Sequence, residues 1–195
     1  KRLIRKLIPR PLLSLYHRMK AHLAALRYGF PSEKLLLIGV TGTKGKSSTA
    51  NFVWAGLAGA GVKTGLLSTA NVRMGDQEML NPYHMTMPNP FTIQRLLREM
   101  LAAGCTAAVV ETTSEGIAQW RHKGLAYDML VFTNLTPEHI AAHGSFENYR
   151  RAKQKIFRDL AYHRRKRLPP FGTIPKVIIA NADSPEVGEF MKFSA

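Results

Sequence analysis

The sequence predicts a three-layer α/β domain built on a mostly parallel sheet. Five short, continuously apolar runs alternate with segments of helical periodicity, which is typical of parallel strands covered by helices on both faces. A glycine-rich loop separates the first apolar run from the helical segment that follows it. With 195 residues and 45% hydrophobic content, the chain is long and apolar enough to bury one proper core.

The first predicted element is an amphipathic helix over residues 12–28. Its apolar side chains recur at spacings of three and four, the pattern of a helix with one apolar face. These side chains are Leu12, Leu15, Tyr16, Met19, Leu23 and Leu26. We interpret the segment as a basic helix docked on the domain, and contact with a membrane surface or with a partner is the open alternative.

The strands and helices of the main domain follow from Lys34 onward. The predicted strands are 35–40, 64–68, 106–111, 128–133 and 176–181. Four helices are predicted: one directly after the glycine loop, one near 91–103, a short one that ends at Gln119, and one near 145–162. Residues 163–175, HRRKRLPPFGTIP, combine a charge run with three prolines and a glycine, so we predict an exposed loop there.

The charge of the chain is strongly basic. Its 28 Lys and Arg residues against 13 Asp and Glu give a formal net charge of +15, and residues 1–30 contain eight cations and no acidic residue. Such an excess suits phosphate-bearing partners, whether nucleotides, nucleic acid or anionic membrane surfaces. The single cysteine, Cys105, excludes an internal disulfide framework and is predicted to lie in the core.

Targeting signals are also informative. The sequence contains no apolar stretch long enough to cross a bilayer. Pro9, Arg10 and Pro11 interrupt any signal-peptide core near the N-terminus. We therefore predict a cytoplasmic protein, and because the chain begins with Lys1 rather than Met we expect that a preceding segment has been trimmed.

The glycine loop has the arrangement of a phosphate-binding loop. The strand LLLIGV runs into TGTKGKSST and then into a helix predicted to begin near Lys46, which is the strand, loop and helix order of a P-loop. Gly42 and Gly45 let the backbone turn its N–H groups inward, and the helix N-terminus adds partial positive charge. Lys46 is expected to neutralise the β- and γ-phosphates, and Ser47 to ligate Mg²⁺. The general pattern G-x-x-x-x-G-K-[ST] is incomplete, because Val40 stands where its first glycine belongs.

Four sequence blocks follow one another in a fixed order. They are GVTGTKGKSST at 39–49, MTMPNPFTIQRLL at 85–97, ETTSEGIAQWR at 111–121 and FTNLTPEHIAAHGSFENYRRAKQKIF at 132–157. In sequence and order they resemble the Mur ligases, the enzymes that add amino acids to UDP-N-acetylmuramoyl peptides in bacterial cell-wall synthesis, and among these most of all the tripeptide synthetases. The resemblance covers about residues 35–190 and implies the central, ATP-binding domain of that family, with ATP and Mg²⁺ as cofactors.

The resemblance implies roles for single residues. It implies that Glu111 ligates the Mg²⁺ of the nucleotide, that His139 holds a second Mg²⁺ near the acceptor carboxylate, and that Lys153 is carbamylated by CO₂. His143 either shares that role or orients its loop. The implied ATP-binding residues are Gly42, Thr43, Lys44, Gly45, Lys46, Ser47, Ser48 and Asn134. The implied metal ligands are Ser47, Glu111, His139 and Lys153, and the implied substrate-binding residues are Thr86, Met87, Thr113, Gln119 and Arg121.

Without the resemblance, several of these residues have plainer interpretations. Lys153 is then an ordinary lysine on a helix surface, and Thr86 and Thr113 are capping residues of loops and helices. The chain also departs from the family pattern at four positions, where Lys44 replaces an asparagine, Met87 a threonine, Glu115 a histidine and Glu138 an aspartate. ATP binding is expected to survive these changes, whereas recognition of the standard muramoyl substrate is open.

The domain organisation implied by the resemblance is incomplete in this chain. We divide it into a basic N-terminal extension, residues 1–33, and a central ATP-binding domain, residues 34–195, closed by NADSP at 181–185. From the resemblance we expect that this chain lacks the usual N-terminal domain for the uridine nucleotide, and that the full protein has an amine-binding C-terminal domain. The implied activity is that of an ATP-dependent carbon–nitrogen ligase, which converts a carboxylate of a UDP-N-acetylmuramoyl-peptide-like substrate into an acyl phosphate before an amine attacks it.

Three other functions stay open at this point. The first is a nucleotide-binding scaffold without ligase activity, and the second is a related ligase of the folylpolyglutamate or cyanophycin type. The third is a nucleic-acid-binding module, suggested by the net charge, the basic helix and the HRRKR run. It is the least favoured, because no aromatic RNA-binding motif or zinc finger accompanies the charge.

Overall fold

The computed structural model describes residues 9–138 and 143–193 of the chain. Its strands are β1 (Leu36–Thr41), β2 (Thr64–Leu67), β3 (Asn71–Met74), β4 (Gln77–Leu80), β5 (Ala107–Glu111), β6 (Met129–Phe132), β7 (Arg167–Leu168), β8 (Gly172–Thr173) and β9 (Val177–Ala180). Its helices are α1 (Arg10–Arg27), α2 (Lys46–Gly59), α3 (Pro90–Ala102), α4 (Ser114–Ala118), α5 (Phe146–Tyr162) and α6 (Val187–Met191), with a 3-10 turn at Pro31–Lys34. Across the described ranges, none of these helices has the length and apolar character needed to cross a membrane.

The main sheet has seven strands in the order β4-β3-β2-β5-β1-β6-β9. Five neighbouring strands in this order, β2, β5, β1, β6 and β9, pair in parallel, as predicted. The strands β3 and β4 add an antiparallel hairpin beside β2. Val40 of β1 lies opposite Glu111 of β5, and Thr41 lies opposite Phe132 of β6. The carboxyl ends of these three strands therefore meet at one edge, where open α/β sheets bind their ligands.

The core lies on both faces of the sheet. On one face, Leu37 of β1 belongs to a buried cluster with residues of α3 and α5, including Phe157. On the other face, Ile38 belongs to a second cluster with residues of α2, including Ala50. Successive β1 residues thus point into different layers, and all six are buried, which explains the uninterrupted apolar run. Cys105 is buried in the first cluster, as predicted.

A buried carboxylate ties the segment 163–175 to the sheet. Asp128 is fully buried, and its Oδ2 accepts hydrogen bonds from Lys166 Nζ at 2.6 Å and from the Leu37 backbone N–H at 2.9 Å. Its Oδ1 accepts one from Lys176 Nζ at 3.0 Å. Lys166 Nζ also donates to the Ser32 and Leu35 carbonyls. Burial lowers the pKa of Lys166, and the Asp128 carboxylate opposes that shift.

The exposed loop predicted for residues 163–175 was wrong in part: most of the segment is exposed, but Lys166, Leu168 and Ile174 are buried. The segment forms a two-stranded ribbon, β7 paired with β8, and the side chains of Leu168 and Ile174 are buried in the second cluster. The charge run suggested a solvated surface, but one of its cations, Lys166, has a buried carboxylate as its partner. Buried charges are tolerated when they are paired in this way.

Helix α1 packs on the domain through small residues. Ala21, Ala24 and Ala25 are fully buried, and α1 contacts α3. A Cβ atom added to Gly124 would lie 2.8 Å from the Ala25 Cβ, so the loop at Gly124 approaches the helix closely. The predicted docking of this helix is confirmed, but its large apolar side chains are not the docking side.

Substituting Asp128→Asn is expected to lower the free energy of unfolding by about 3–5 kcal/mol, because it leaves two lysine ammonium groups beside a neutral amide in a buried site. Urea unfolding followed by circular dichroism measures this change. The matched control is Glu99→Gln in the exposed Arg95–Glu99 pair, where the expected loss is below about 1 kcal/mol. Equal losses in the two variants would contradict the role assigned to Asp128.

Candidate functional site

A cleft of about 400 Å³ opens at the edge where the parallel strands end. It lies between the loop after β1, the end of β5, the start of α4 and one face of α5. Many of the predicted site residues line it. They are Gly42, Lys46, Ser47, Thr86, Met87, Glu111, Thr113, Arg121 and Lys153.

The glycine loop depends on two backbone positions. A Cβ atom at Gly42 would lie 1.9 Å from Thr133 Oγ1, so no larger residue fits while the loop stays against the segment that follows β6. Gly45 has a φ of 76° and precedes the first residue of α2, in the left-handed region that favours glycine. The N-terminus of α2 therefore begins inside the cleft, where its free N–H groups favour an anion. Lys46 Nζ donates to the Thr43 carbonyl oxygen at 2.8 Å.

Asn134, in the segment that follows β6, holds this loop by hydrogen bonds. Its Oδ1 accepts hydrogen bonds from the backbone N–H groups of Thr43 at 3.2 Å and Lys44 at 2.9 Å, and its Nδ2 donates to the Lys44 carbonyl. The Thr43 hydroxyl lies 3.0 Å from the Tyr149 hydroxyl. Lys44 also forms an ion pair with Glu138, with an N–O distance of 3.0 Å. Lys44 and Glu138, two of the four residues that depart from the family pattern, thus contact each other.

Glu111 is the buried carboxylate of the cleft. Only 1% of its surface is exposed, and its Oε2 accepts hydrogen bonds from Ser47 Oγ at 2.9 Å, the Thr69 backbone N–H at 2.8 Å and Thr69 Oγ1 at 2.9 Å. Thr69 Oγ1 in turn lies 2.7 Å from Thr86 Oγ1. Thr69 was not predicted, although it follows β2, the neighbour of β5, at the same sheet edge.

The chemistry of these groups fits a magnesium ion. A hydroxyl and a carboxylate oxygen in contact are hard oxygen ligands of the kind that Mg²⁺ prefers. Within residues 9–138 and 143–193, no group of three or more His, Cys, Asp and Glu side chains gathers to hold a metal. A magnesium ion would therefore need further oxygens from phosphate or water, as is usual where it binds with nucleotides.

Lys153 points from α5 into the base of the cleft. It is 1% exposed, and its Nζ donates to the Gly42 carbonyl oxygen at 2.8 Å and lies 5.0 Å from the centre of the Tyr149 ring. Burial, assisted by the charge of Lys46 and opposed by Glu111, lowers the pKa of Lys153 to about 7. The interpretation as a helix-surface lysine was therefore wrong, because the side chain is buried in the cleft.

Four of the residues predicted to bind substrate line the cleft, and the fifth, Gln119, contacts one of them, Arg121. Arg121 donates to the Met87 carbonyl oxygen and, at 2.8 Å, to Gln119 Oε1. Thr113 Oγ1 accepts from the Gly116 backbone N–H at 3.1 Å and caps α4, as its plainer interpretation predicted. The Met87 side chain is buried against Gly116, where an added Cβ would lie 2.4 Å from Met87 Sδ. Met87 thus contacts Arg121 through its backbone carbonyl.

Three further predicted residues complete the set. His139 lies outside the described residues. His143 Nε2 lies 3.1 Å from Ser114 Oγ, and its ring centre is 5.2 Å from that of Tyr149, contacts suited to orienting its loop. Ser48 is exposed in the first turn of α2.

Comparisons with known proteins agree with this geometry. A model of the Mur ligase middle domain matches residues 40–194. The UDP-N-acetylmuramyl-tripeptide synthetase of Roseiflexus sp. (strain RS-1) is 39% identical over 173 residues, which cover 88% of this chain and 34% of that protein. The UDP-N-acetylmuramoyl-L-alanyl-D-glutamate--2,6-diaminopimelate ligase of Chlorobaculum tepidum is 43% identical over 140 residues, covering 72% of this chain and 27% of that protein. The chain thus spans about a third of the length of these relatives.

Solved structures share the fold. A UDP-N-acetylmuramoyl-L-alanyl-D-glutamate--2,6-diaminopimelate ligase matches with a TM-score of 0.67 and 22% identity, over 82% of this chain and 29% of that chain. The Mycobacterium tuberculosis folylpolyglutamate synthase complexed with ADP matches with a TM-score of 0.59 and 16% identity, over 90% of this chain and 43% of that chain. Taken with the family match over residues 40–194 and relatives near 40% identity, this means that the chain belongs to the Mur ligase middle domain family.

Proposed function

We propose that this chain is the ATP-binding part of a ligase that activates a carboxylate of a UDP-N-acetylmuramoyl-peptide-like acceptor for the addition of an amino acid. One observation carries the proposal. The phosphate loop, the contact between Ser47 and Glu111, and the side chains of Lys46 and Lys153 face a single cleft. The names of relatives near 40% identity support the substrate class, and a solved protein of the same fold is complexed with ADP.

Each group of the chain would have a distinct task in phosphoryl transfer. Lys46 would exchange its hydrogen bond with the Thr43 carbonyl for one with a phosphate oxygen, and the N-terminus of α2 would hold the phosphate chain. The acceptor carboxylate would bond to the γ-phosphorus while ADP leaves, and an amine would then displace phosphate from the acyl carbon and lose a proton. Ser47, Glu111, His139 and Lys153 would hold Mg²⁺, which supplies charge neutralisation at the phosphate oxygens.

We propose that Lys153 takes part as a carbamate. Its neutral amine would bond to the carbon of CO₂ and release one proton, which changes a buried neutral group into an anion suited to a metal ion. The burial of Lys153 in the cleft, its neighbour Lys46 and a pKa of about 7 support this step. The remaining N–H of the carbamate could keep the hydrogen bond to the Gly42 carbonyl oxygen.

The acceptor would enter over the mouth of the cleft. Arg121, whose position is set by Gln119 and the Met87 carbonyl, would contact its phosphate or carboxylate groups. Thr86 and Thr113 would add hydrogen-bond donors nearby.

We assign the ATP-binding domain to residues 34–195 and the basic extension to residues 1–33. We place the reaction in the cytoplasm, where ATP is available. We expect the amine to be bound by another part of the full protein.

Substituting Lys46→Ala is expected to weaken binding of a non-hydrolysable ATP analogue about 10- to 100-fold, because a charge-assisted hydrogen bond to phosphate is lost. Isothermal titration calorimetry with Mg²⁺ measures the affinity. Lys192→Ala, which removes an exposed lysine of a helix-terminal ion pair, is the control and should bind like the parent. Undiminished binding by Lys46→Ala would refute the assignment of the loop.

Substituting Glu111→Gln is expected to remove most of the gain in analogue affinity that Mg²⁺ provides, while leaving the Mg²⁺-free affinity in place. The amide keeps the shape of the side chain and can still accept from Thr69, but it is a poorer ligand than a carboxylate. Titrations with and without Mg²⁺ separate the two affinities. A variant with the full Mg²⁺-dependent gain would show that Glu111 is not a ligand.

Lys153 is expected to give a carbamate carbon signal in ¹³C NMR spectra of protein equilibrated with ¹³C-bicarbonate at mildly alkaline pH. The signal should be missing from Lys153→Met, whose side chain is of similar length and suits a buried site. Lys155→Met is the matched control, because burial also lowers the pKa of Lys155, on the same helix. A signal that persists in Lys153→Met but disappears in Lys155→Met would reverse the assignment.

A further inference from the structure

Helix α1 has two different apolar faces. Its alanines at 21, 24 and 25 are buried against the domain. Its large apolar side chains lie on the opposite side, since at 100° per residue they cover an arc of about 100° centred away from the alanines. We call this outward side the leucine face; it consists of Leu12, Leu15, Tyr16, Met19, Leu23 and Leu26. These side chains are between 52% and 64% exposed.

The leucine face continues beyond the end of the helix. Phe30, which is 40% exposed, lines the same shallow groove as Leu23 and Leu26. A contiguous apolar surface of this kind marks an interaction site, whereas single exposed apolar residues do not.

The charges that α1 itself carries beside this face are all of one sign. On the helical projection, Arg18 borders the leucine face on one side, and Lys20 and Arg27 border it on the other. The first acidic residue of the sequence is Glu33, beyond the end of the helix. Residues 1–8 lie outside the described residues; their sequence, KRLIRKLI, contains four cations and four leucine or isoleucine residues.

This charge pattern selects one class of partner. A second copy of α1 packed against the leucine face would bring cations against cations, with no carboxylate on either helix to pair with them. A bilayer with anionic headgroups satisfies both features, because the acyl region accepts the apolar side chains while the headgroups meet the bordering cations. We propose that the leucine face of α1 docks this protein on an anionic lipid bilayer.

The test is flotation of the full-length gene product with vesicles of phosphatidylglycerol and phosphatidylcholine in equal parts, compared with vesicles of phosphatidylcholine alone. Binding to the anionic vesicles is expected, and it should weaken as salt is added. The double variant Leu15→Gln/Leu23→Gln should lower the partition coefficient by about tenfold or more for each leucine. Leu80→Gln, at an exposed leucine of β4 far from the helix in sequence, is the matched control and should bind like the parent.

The cationic border is tested separately. The double variant Lys20→Gln/Arg27→Gln should reduce binding to the anionic vesicles by about fivefold for each charge removed, with little effect on the phosphatidylcholine vesicles. All variants alter exposed or half-buried side chains, so unchanged far-ultraviolet circular dichroism and unchanged binding of the ATP analogue verify that each is folded.

Three outcomes would overturn the proposal. The first is no binding to anionic vesicles at low salt, and the second is binding that the double leucine variant retains in full. The third is a face that is already covered. In Met19→Cys, a thiol probe should react readily with the new cysteine without vesicles, because position 19 is exposed; Cys105 is buried and should react little. Protection of this cysteine by another part of the protein, or a dimer that dissociates in the leucine variant, would assign the face to that occupant instead.

Discussion

The parallel pairing of β1 with both β5 and β6 determines where the groups of the cleft lie. This register places Val40 opposite Glu111 and Thr41 opposite Phe132, so the phosphate loop leaves the sheet between a carboxylate and the segment that carries Asn134. Gly42 is needed because this approach leaves no space for a side chain. Lys153 is then buried because α5 covers the same edge, where the Gly42 carbonyl accepts its hydrogen bond. A change in strand register would separate all of these contacts together.

The parts of the fold that the sequence predicts are those with strong local patterns. The five parallel strands are continuous apolar runs, and the phosphate loop has its own glycine and lysine spacing. The hairpin β3–β4 lacks such a run, because β4 is exposed throughout, and the ribbon β7–β8 is only two residues long in each strand. Thr69 and the burial of Lys166 depend on neighbours that are distant in sequence, so no local pattern contains them.

Two substitutions that seem independent in sequence are coupled in space. Lys44 and Glu138 each depart from the family pattern, and their side chains form an ion pair between the phosphate loop and the segment leading to His139. The pair is exposed, at 72% and 38% of the two side chains, so it stabilises the fold by no more than about 1 kcal/mol. Its consequence is therefore local: where the family pattern has an asparagine and an aspartate, this chain has an ion pair between two longer side chains.

The orientation of α1 shows why amphipathicity alone does not identify a docking side. A surface helix usually turns its largest apolar side chains toward the core, because each buried leucine contributes about 1.5–3 kcal/mol. Here the loop at Gly124 approaches Ala25 so closely that a larger side chain at that position would meet the loop. Rotating the helix to bury its leucines would place larger side chains against that loop. The helix thus packs on the domain through its alanines, and its large apolar side chains contribute little to the stability of the domain.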